Sequence, residues 1–235
     1  MADGQQFNII AQKSFRQSLK ASDIAILVSK QLNNLVPDPF PVDPKSLEGL
    51  VAQSLDRVKN CFRWINNKYY TNDQEVLFDH LQSDHYCAFI YLLSNTAYKA
   101  GETAMATKLF LINKYLHGLD LYFSVELPEV FMLVHPVGSV IGNASYGNFF
   151  VAYQNCTIGS TVKNGKYIYP VFGENVTMYA RSVVIGNCEV GSNVVIGANS
   201  FILNSKIPSN SIVTGVYPEL VVNQKEKIAS PFFFR

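Results

Sequence analysis

Apolar residues in the first half of the chain recur at the spacing of amphipathic helices. In residues 44–65 they form one continuous stripe, made of Leu47, Leu50, Val51, Leu55, Val58, Phe62 and Ile65. The same spacing predicts four helices, at about residues 14–35, 44–65, 84–99 and 102–117. Gly101 and Gly118 stand where left-handed caps would end the last two. Residues 1–118 are therefore predicted to form an all-α region.

The period changes in the second half, which holds ten of the fourteen glycines. Six apolar residues follow one another there at intervals of six, namely Phe172, Met178, Val184, Val190, Ile196 and Ile202. Before the loop STVKNGKYIYP the same period is kept by Tyr146, Ala152 and Ile158, with Phe150, Cys156 and Val162 four positions after each. A period of six is typical of a triangular β-helix, whose Gly and Asn corners accept positive φ. An antiparallel sandwich with glycine-rich turns is the less favoured alternative, because six consecutive hexads stay in phase.

Composition and charge narrow the class of protein. The chain is 48% hydrophobic and has 19 basic against 18 acidic residues, so a large core is expected and a nucleic-acid or polybasic membrane surface is not. Four widely spaced cysteines favour reduced thiols over disulfides or a zinc site. No signal peptide or membrane span is evident, so a cytoplasmic protein is expected. We expect a helical domain at 1–118, a β-helix domain at 119–222 and a tail at 223–235. The PFFF segment of this tail is expected either to fold back or to cover the end of the β-helix, because it would otherwise be exposed.

One segment at the junction contains the only histidine of the last 118 residues. His135-Pro-Val-Gly-Ser-Val-Ile-Gly142, with the hexads and the exit segment IPSNSIVTGVYPELVV, resembles the serine acetyltransferase family of left-handed β-helix acyltransferases. That family has a catalytic histidine in H-x-x-G-x-V-V-G and an aspartate fifteen residues earlier, positions that are His135 and Asp120 here. The resemblance covers most of the second half. It implies a left-handed parallel β-helix behind a helical region, acetyl-CoA as acyl donor, and a homotrimer or a hexamer.

Transfer of an acyl group from a thioester to a hydroxyl requires a base for the attacking alcohol. Histidine, with an unperturbed pKa of about 6.5, suits that role, and a carboxylate on its other ring nitrogen would fix its tautomer. Because about fifteen to eighteen residues make one turn of such a coil, Asp120 is predicted to lie one coil below His135. The alternatives are a half-buried junction residue for His135 and a helix-end or turn residue for Asp120. The N–H groups of Gly138 or Gly142 are candidate donors to the oxyanion.

The residues implied for the acceptor depart from the family pattern. The family has an acidic residue before the catalytic histidine, where this chain has Val134, and an Arg-His pair before the loop proline, where it has Ile168-Tyr169. Both changes remove charge suited to serine, so we expect another hydroxyl acceptor, such as a sugar. Serine itself and the amine of an amino sugar are the alternatives. Tyr169 would contact the acceptor or anchor its loop, and SDHYCAFIYLL resembles a helix entry that would implicate Asp84, otherwise the N-cap of that helix.

By the same resemblance the pantetheine arm of coenzyme A lies in a groove between neighbouring β-helices. The implied cofactor residues are Gly138, Ala180, Arg181 and Ala198, for which ordinary corner chemistry is the alternative. A metal-dependent carbonic anhydrase on this coil needs three converging histidines, whereas the β-helix holds His135 alone. A trimeric scaffold without catalysis is the remaining function class. His85 is expected on a helix surface.

Overall fold

The computed structural model describes residues 13–226, 228 and 230–234, so most of the N-terminal segment in which no signal peptide is expected lies outside the described residues. The chain divides into two compact units. One runs to Ile112 and takes in Pro231–Arg235, and the other is Asn113–Ser230. The expected domain boundary after residue 118 lies six residues beyond this division. None of the described helices has the length and apolar character needed to cross a membrane.

Helices build most of the first unit. They are α1 (Ala21–Leu35), α2 (Pro44–Phe62), α3 (Ser83–Lys99) and α4 (Thr103–His117), whose last five residues belong to the second unit. The Asp43 side chain begins α2 by accepting a hydrogen bond from the Lys45 N–H (3.0 Å). Gly101 and Gly118 follow α3 and α4 with positive φ, as expected of left-handed caps. The predicted helices are confirmed, and the apolar stripe of α2 packs against α1 and α3.

The first unit also contains a parallel strand pair that helical spacing does not predict. β1 (Ser14–Gln17) pairs with β2 (Glu75–Phe78) in continuous register. The predicted start of the first helix at residue 14 is therefore wrong, since α1 begins at Ala21. The cause is a pairing between segments far apart in sequence, which local periodicity does not report.

Gly49 lies on the exposed side of α2, where an added methyl group would meet nothing within 4 Å. Glycine in a helix interior is less favourable than alanine because it loses more backbone freedom on folding. Gly49→Ala should therefore raise the free energy of unfolding by about 0.5–1 kcal/mol, measured by urea denaturation. A lower urea midpoint would contradict the exposed helical placement of Gly49.

His85 is buried, so its expected position on a helix surface is wrong. It is 1% exposed, and its ring packs against the rings of Phe62, Tyr70 and Phe78. Its Nδ1 accepts a hydrogen bond from the Asp79 N–H (3.2 Å). Burial lowers the pKa of His85 from 6.5 to about 4, because the imidazolium would lose its hydration.

The buried imidazole makes folding stability depend on pH. Between pH 6.5 and about 4 the unfolded chain binds a proton at His85 and the folded chain does not. The contribution of neutral His85 to the free energy of unfolding is therefore complete above pH 6.5. It falls as the pH is lowered through this window, by about 3 kcal/mol at most. Urea midpoints measured at decreasing pH should fall less steeply for His85→Phe than for the wild type. Parallel pH dependences would contradict a neutral, buried His85.

The second unit is a left-handed parallel β-helix with three faces, as the hexads predict. The first face stacks β3 (Phe131–Leu133), β6 (Phe150–Ala152), β11 (Val176–Met178), β14 (Val194–Ile196) and β17 (Ser211–Val216). The second stacks β4 (Val140–Ile141), β7 (Thr157–Gly159), β12 (Val183–Ile185) and β15 (Phe201–Leu203). The third stacks β5 (Ser145–Tyr146), β10 (Val171–Phe172), β13 (Glu189–Val190) and β16 (Lys206–Ile207). β18 (Glu219–Gln224) pairs antiparallel with β17.

The core of this unit is a ladder of the predicted inward residues. All six residues of the later hexad set are buried, and register pairs them along each face, as Ile158, Val184 and Ile202 illustrate. Each coil therefore buries its apolar side chains against the coils before and after it, which gives a continuous core without helices.

The loop STVKNGKYIYP leaves the coil as a hairpin. β8 (Thr161–Lys163) and β9 (Lys166–Ile168) pair antiparallel across Asn164-Gly165, and both of these residues have positive φ, as a tight two-residue turn requires. Val162 lies on this hairpin and is 61% exposed. Its predicted place in the hexad core is therefore wrong, because the six-residue period holds only while the chain stays on the coil.

The last described residues fold back onto the helical unit. Phe233 is buried and forms an antiparallel bridge with Ile65, and the Phe234 N–H donates to the Trp64 carbonyl oxygen (2.9 Å). Backbone pairing and burial of Phe233 remove the central part of PFFF from solvent, so of the two alternatives the segment folds back.

Candidate active site

The corner that carries His135 is longer than the corners stacked beside it. Leu133 pairs with Ala152, and Val140 pairs with Thr157. From the first of these pairs to the second, the first coil advances by seven residues along the chain and the second coil by five. The same corner also takes five positions in the third and fourth coils. The two additional residues fall in the segment 134–139, so this corner differs in shape from the regular repeat.

His135 occupies this corner in a conformation that packing alone does not favour. Its φ of 47° lies in the left-handed region, which costs a non-glycine residue about 1 kcal/mol or more. Its carbonyl oxygen accepts a hydrogen bond from the Val137 N–H (2.7 Å), which closes a tight turn. The side chain is exposed, unlike the half-buried junction residue considered above. The imidazole of His135 is therefore exposed to solvent on a strained, extended corner.

Asp120 lies beside the strand that follows this corner. Its N–H donates to the Ser139 carbonyl oxygen and its own carbonyl accepts from the Ile141 N–H (both 2.9 Å), so it forms a parallel bridge with Val140. This pairing stacks Asp120 one coil before β4. Its carboxylate forms an ion pair with Lys114 (2.7 Å), and among the described residues it makes no hydrogen bond to His135.

The two glycines predicted as oxyanion donors have their N–H groups occupied. The Gly138 N–H donates to the Gly118 carbonyl oxygen (2.9 Å) and the Gly142 N–H to the Ile158 carbonyl oxygen (3.0 Å). This part of the prediction is wrong, because stacking of coils turns corner N–H groups toward the neighbouring coil rather than toward solvent. Gly138 also has a φ of 73°, a conformation that its lack of a side chain permits.

The remaining predicted cofactor residues occupy the same corner in later coils. The Arg181 N–H donates to the Gln154 carbonyl oxygen, and the Ala180 carbonyl oxygen accepts from the Asn199 N–H (both 3.0 Å). Arg181 is exposed in the left-handed region with a φ of 62°, where the coils on either side have asparagine. Ala198 is exposed and Ala180 half-buried. One edge of the β-helix therefore presents His135, Arg181 and these small side chains.

Two of the predicted acceptor residues belong to the second unit. Val134 is 9% exposed, and its N–H donates to the Ala152 carbonyl oxygen (2.9 Å). Tyr169 is 40% exposed just after β9, with its ring stacked near that of Tyr167 at a centroid separation of 6.3 Å. Val134 therefore has little side-chain surface that could contact the acetyl acceptor, whereas Tyr169 exposes a ring and a hydroxyl group.

Asp84 belongs to the first unit. It is buried in the first turn of α3, and it is not the N-cap that was its alternative role. Gln82 takes that place, because its side chain accepts a hydrogen bond from the His85 N–H (2.6 Å).

A pair of tyrosines at the corner that carries His135 was not predicted from the sequence. Tyr153 and Tyr179 follow the first-face strands of the second and third coils, with ring centroids 5.0 Å apart. Partial burial raises the pKa of Tyr153, with a smaller contribution from Tyr179. Their repetition at equivalent positions of successive coils could have identified them, but only once the corner positions were known.

Comparison with known proteins identifies the family to which the chain is similar. A family model described as "Bacterial transferase hexapeptide (six repeats)" matches residues 169–204. The serine acetyltransferase of Staphylococcus xylosus is 30% identical over 146 residues, which are 62% of this chain and 67% of that protein.

Solved structures show the same fold at lower identity. The crystal structure of Neisseria gonorrhoeae serine acetyltransferase has a TM-score of 0.67 and 22% identity, and covers 89% of this chain and 82% of its own. A serine acetyltransferase in complex with CoA has a TM-score of 0.64 and 19% identity, with 84% and 83% covered. From its helical unit, its hexapeptide coil and its identity to the curated relative, the chain belongs to the serine acetyltransferase family of acyltransferases.

Proposed function

We propose that this chain transfers an acetyl group from acetyl-CoA to the hydroxyl of a small molecule, with His135 as general base. The observation that carries the proposal is the exposed His135 on a corner two residues longer than its neighbours. Family membership supplies the acyl-transfer chemistry, and the CoA complex of a structural neighbour supports the donor. The β-helix supplies the rigid backbone that holds the corner.

The chemical steps require one proton acceptor that later becomes a donor. Neutral His135 takes the proton of the acceptor hydroxyl while the oxygen attacks the thioester carbonyl carbon. The tetrahedral intermediate then breaks its C–S bond, and the imidazolium gives its proton to the departing thiolate. The acceptor becomes an acetate ester, coenzyme A becomes a free thiol, and His135 returns to its neutral form.

Asp120 is proposed to orient His135 and to stabilise its charged form. Support comes from its backbone pairing with Val140, which stacks it beneath the active-site corner. One carboxylate oxygen, Oδ2, is paired with Lys114 in the free protein, so the imidazolium formed during reaction shares the carboxylate with that ammonium group. A carboxylate with two oxygens can accept from both partners at once.

L-Serine is the first acceptor to consider, because the relatives compared above are serine acetyltransferases. They give no support to the sugar that the sequence suggested. A neutral hydroxyl compound is the second candidate, favoured by the uncharged Val134 and Tyr169 at the two positions that differ from the family pattern. The two candidates differ in whether an ammonium and a carboxylate group on the acceptor increase the rate at which it is acetylated.

Thiol release from acetyl-CoA with a matched set of acceptors tests the proposal. L-Serine, 1,2-propanediol, glucose and glucosamine are compared with L-alanine, which has the charges of serine without its hydroxyl. We expect release with at least one hydroxyl acceptor, an O-acetylated product by mass spectrometry, and none with L-alanine. Release with no hydroxyl acceptor, or equal release with L-alanine, would overturn it. A preference for propanediol over serine would select the second candidate.

The donor is proposed to lie along the edge formed by Gly138, Ala180, Arg181 and Ala198, in a groove completed by a second β-helix of a homotrimer. Small side chains let backbone approach the pantetheine arm, and the exposed Arg181 guanidinium suits a phosphate group. Flat faces of such a coil favour packing around a threefold axis. Light scattering that shows a monomer would contradict the shared groove.

Arg181→Asn should change the binding of acetyl-CoA without weakening the fold. Asparagine stands at the same corner in both adjacent coils and adopts the left-handed conformation readily, so thermal stability should be unchanged or higher. Loss of a charge-assisted contact should raise the KM for acetyl-CoA about tenfold with little change in kcat. Steady-state kinetics measure both constants. An unchanged KM would remove Arg181 from the donor site.

A further inference from the structure

The last described strand of the second unit, β18, forms an open edge of its sheet. One side of β18 pairs antiparallel with β17 along its whole length. No other strand in the described part of the chain pairs with its second side. All residues of β18 except the half-buried Leu220 are exposed, and Val221 and Val222 have exposed fractions of 56% and 39%. An exposed edge that carries apolar side chains is suited to pairing with another strand.

Hydrogen bonds on the side of β17 determine which backbone groups of β18 are directed outward. The Lys225 N–H, directly after β18, donates to the Asn210 carbonyl oxygen (2.7 Å), so Lys225 faces β17. Val213, the register partner of Val222, instead directs its carbonyl oxygen to the Gly197 N–H (2.8 Å) in the preceding coil. Successive residues of a strand direct their N–H and C=O groups to opposite sides. The residues whose backbone groups point away from β17 are therefore Leu220, Val222 and Gln224.

A second copy of β18 can meet these groups in two registers that overlap most of the strand, because residues whose groups face each other must lie opposite each other. In one register Val222 lies opposite itself and Leu220 lies opposite Gln224. All three outward-directed residues then occupy hydrogen-bonded positions. In the other register Val221 lies opposite itself and Gln224 lies opposite Pro218, which has no N–H to donate. The hydrogen bonds therefore favour the register centred on Val222.

The charges that flank β18 favour the same register. Glu219 begins β18 and Lys225 follows it, and both are exposed. In the register centred on Val222, Glu219 of each copy lies opposite Lys225 of the other, which gives two oppositely charged cross-strand pairs. In the alternative register Glu219 would lie opposite Asn223 and form no such pair. This charge complementarity between β18 and itself indicates that the occupant of the edge is a second copy of the chain.

Burial of apolar side chains adds a driving force to this pairing. Val213 is fully buried in the core of the β-helix, and its register partner Val222 lies on the same face of the sheet. Leu220, two residues earlier, also lies on this face. Pairing centred on Val222 places the two copies of Val222 against each other, so the apolar ladder of one coil continues into the other.

We propose that two copies of this chain associate through antiparallel pairing of β18 with β18, centred on Val222. The contact has a twofold axis and uses the same surface on both copies, as is usual in homodimers. It lies at the last strand of the coil, whereas the proposed trimer packs through the faces of the coil. A trimer paired in this way becomes a hexamer, so the assembly contains an even number of chains.

Sedimentation equilibrium of the full chain measures this association. We expect an assembly with an even number of chains that dissociates on dilution. Glu219→Lys and Lys225→Glu each place like charges opposite each other twice, so each should raise the dissociation constant about tenfold. A chain that carries both substitutions restores the opposite pairs and should recover the wild-type affinity. Glu226→Lys is the matched control, because it changes the net charge as Glu219→Lys does but lies opposite the uncharged Pro218.

Oxidative cross-linking tests the register. Val221 of one copy lies opposite Asn223 of the other, where Cβ atoms are about 4.5–5.5 Å apart. A chain with both Val221→Cys and Asn223→Cys should therefore form a covalent dimer under mild oxidation. Either substitution alone should not, because its counterpart in the second copy is about 7–8 Å away along the diagonal. The four native cysteines are buried, so the added thiols determine the result.

Any one of three results would overturn the proposal. The first is a monomer or an odd-numbered assembly at all concentrations, which would leave the edge of β18 to a different partner. The second is a dissociation constant that the charge substitutions leave unchanged, and the third is absence of the covalent dimer. All the substituted side chains are exposed, so each variant should fold, which circular dichroism checks. Acetyl transfer is measured separately and does not depend on this contact.

Discussion

His135→Asn is expected to lower the kcat of thiol release from acetyl-CoA by about 10²–10⁴-fold, the usual contribution of a general base. Asparagine is the suitable replacement because it accepts the left-handed φ of 47° that this position requires. The corner therefore keeps its backbone while it loses the group that takes the proton. Steady-state kinetics with a saturating acceptor measure the effect.

Val137→Ala is the matched control for this prediction. Val137 lies two residues further along the same corner and is 57% exposed, so its truncation changes the corner surface without changing any titratable group. Its kcat should stay within about twofold of the wild type, as for surface substitutions in general. A His135→Asn variant with the kcat of this control would remove the general-base role.

Gly173→Ala should destabilise the β-helix by about 3 kcal/mol, the upper range for overpacking. An added Cβ would lie 2.7 Å from the Ser192 nitrogen and 2.8 Å from the Gly191 carbonyl carbon, both of which are backbone atoms of the next coil. Those atoms cannot move away without lengthening the hydrogen bonds that stack the coils. Urea denaturation followed by circular dichroism measures the loss.

The same substitution in a helix provides the control. Gly49→Ala adds an identical methyl group where nothing lies within 4 Å, so the two variants should shift stability in opposite directions. Equal shifts would show that Gly173 is not in close contact with the neighbouring coil. A similar close approach at Gly147, whose added Cβ would lie 2.5 Å from the Gly173 carbonyl carbon, extends the prediction to the preceding coil.

Most of the fold could be predicted from the sequence, because the helical spacing and the six-residue repeat are both properties of neighbouring residues. Spacing at Leu47, Val51, Leu55 and Val58 is sufficient to predict a helix, and hexads from Phe172 to Ile202 are sufficient to predict a coil. Pairing between distant segments is not local. For that reason Ser14–Gln17 was predicted as helix, and Val162 was predicted as core although it lies on a hairpin.

The sequence was sufficient to select the residues of the candidate site but not to predict how they are arranged. The motif around His135 and the offset to Asp120 are visible in the sequence, since both follow the family pattern. The two additional residues of the corner emerge only from strand register. Register also decides which N–H groups are free, and it shows that Gly138 and Gly142 have theirs occupied.

The most direct test of the central claim is thiol release by His135→Ala with and without added imidazole. His135 is exposed, so free imidazole can reach the space that its side chain leaves. The account predicts almost no release without imidazole. It also predicts a partial recovery that requires the hydroxyl acceptor and increases with the unprotonated fraction of imidazole. Release at the wild-type rate by His135→Ala without imidazole would contradict it.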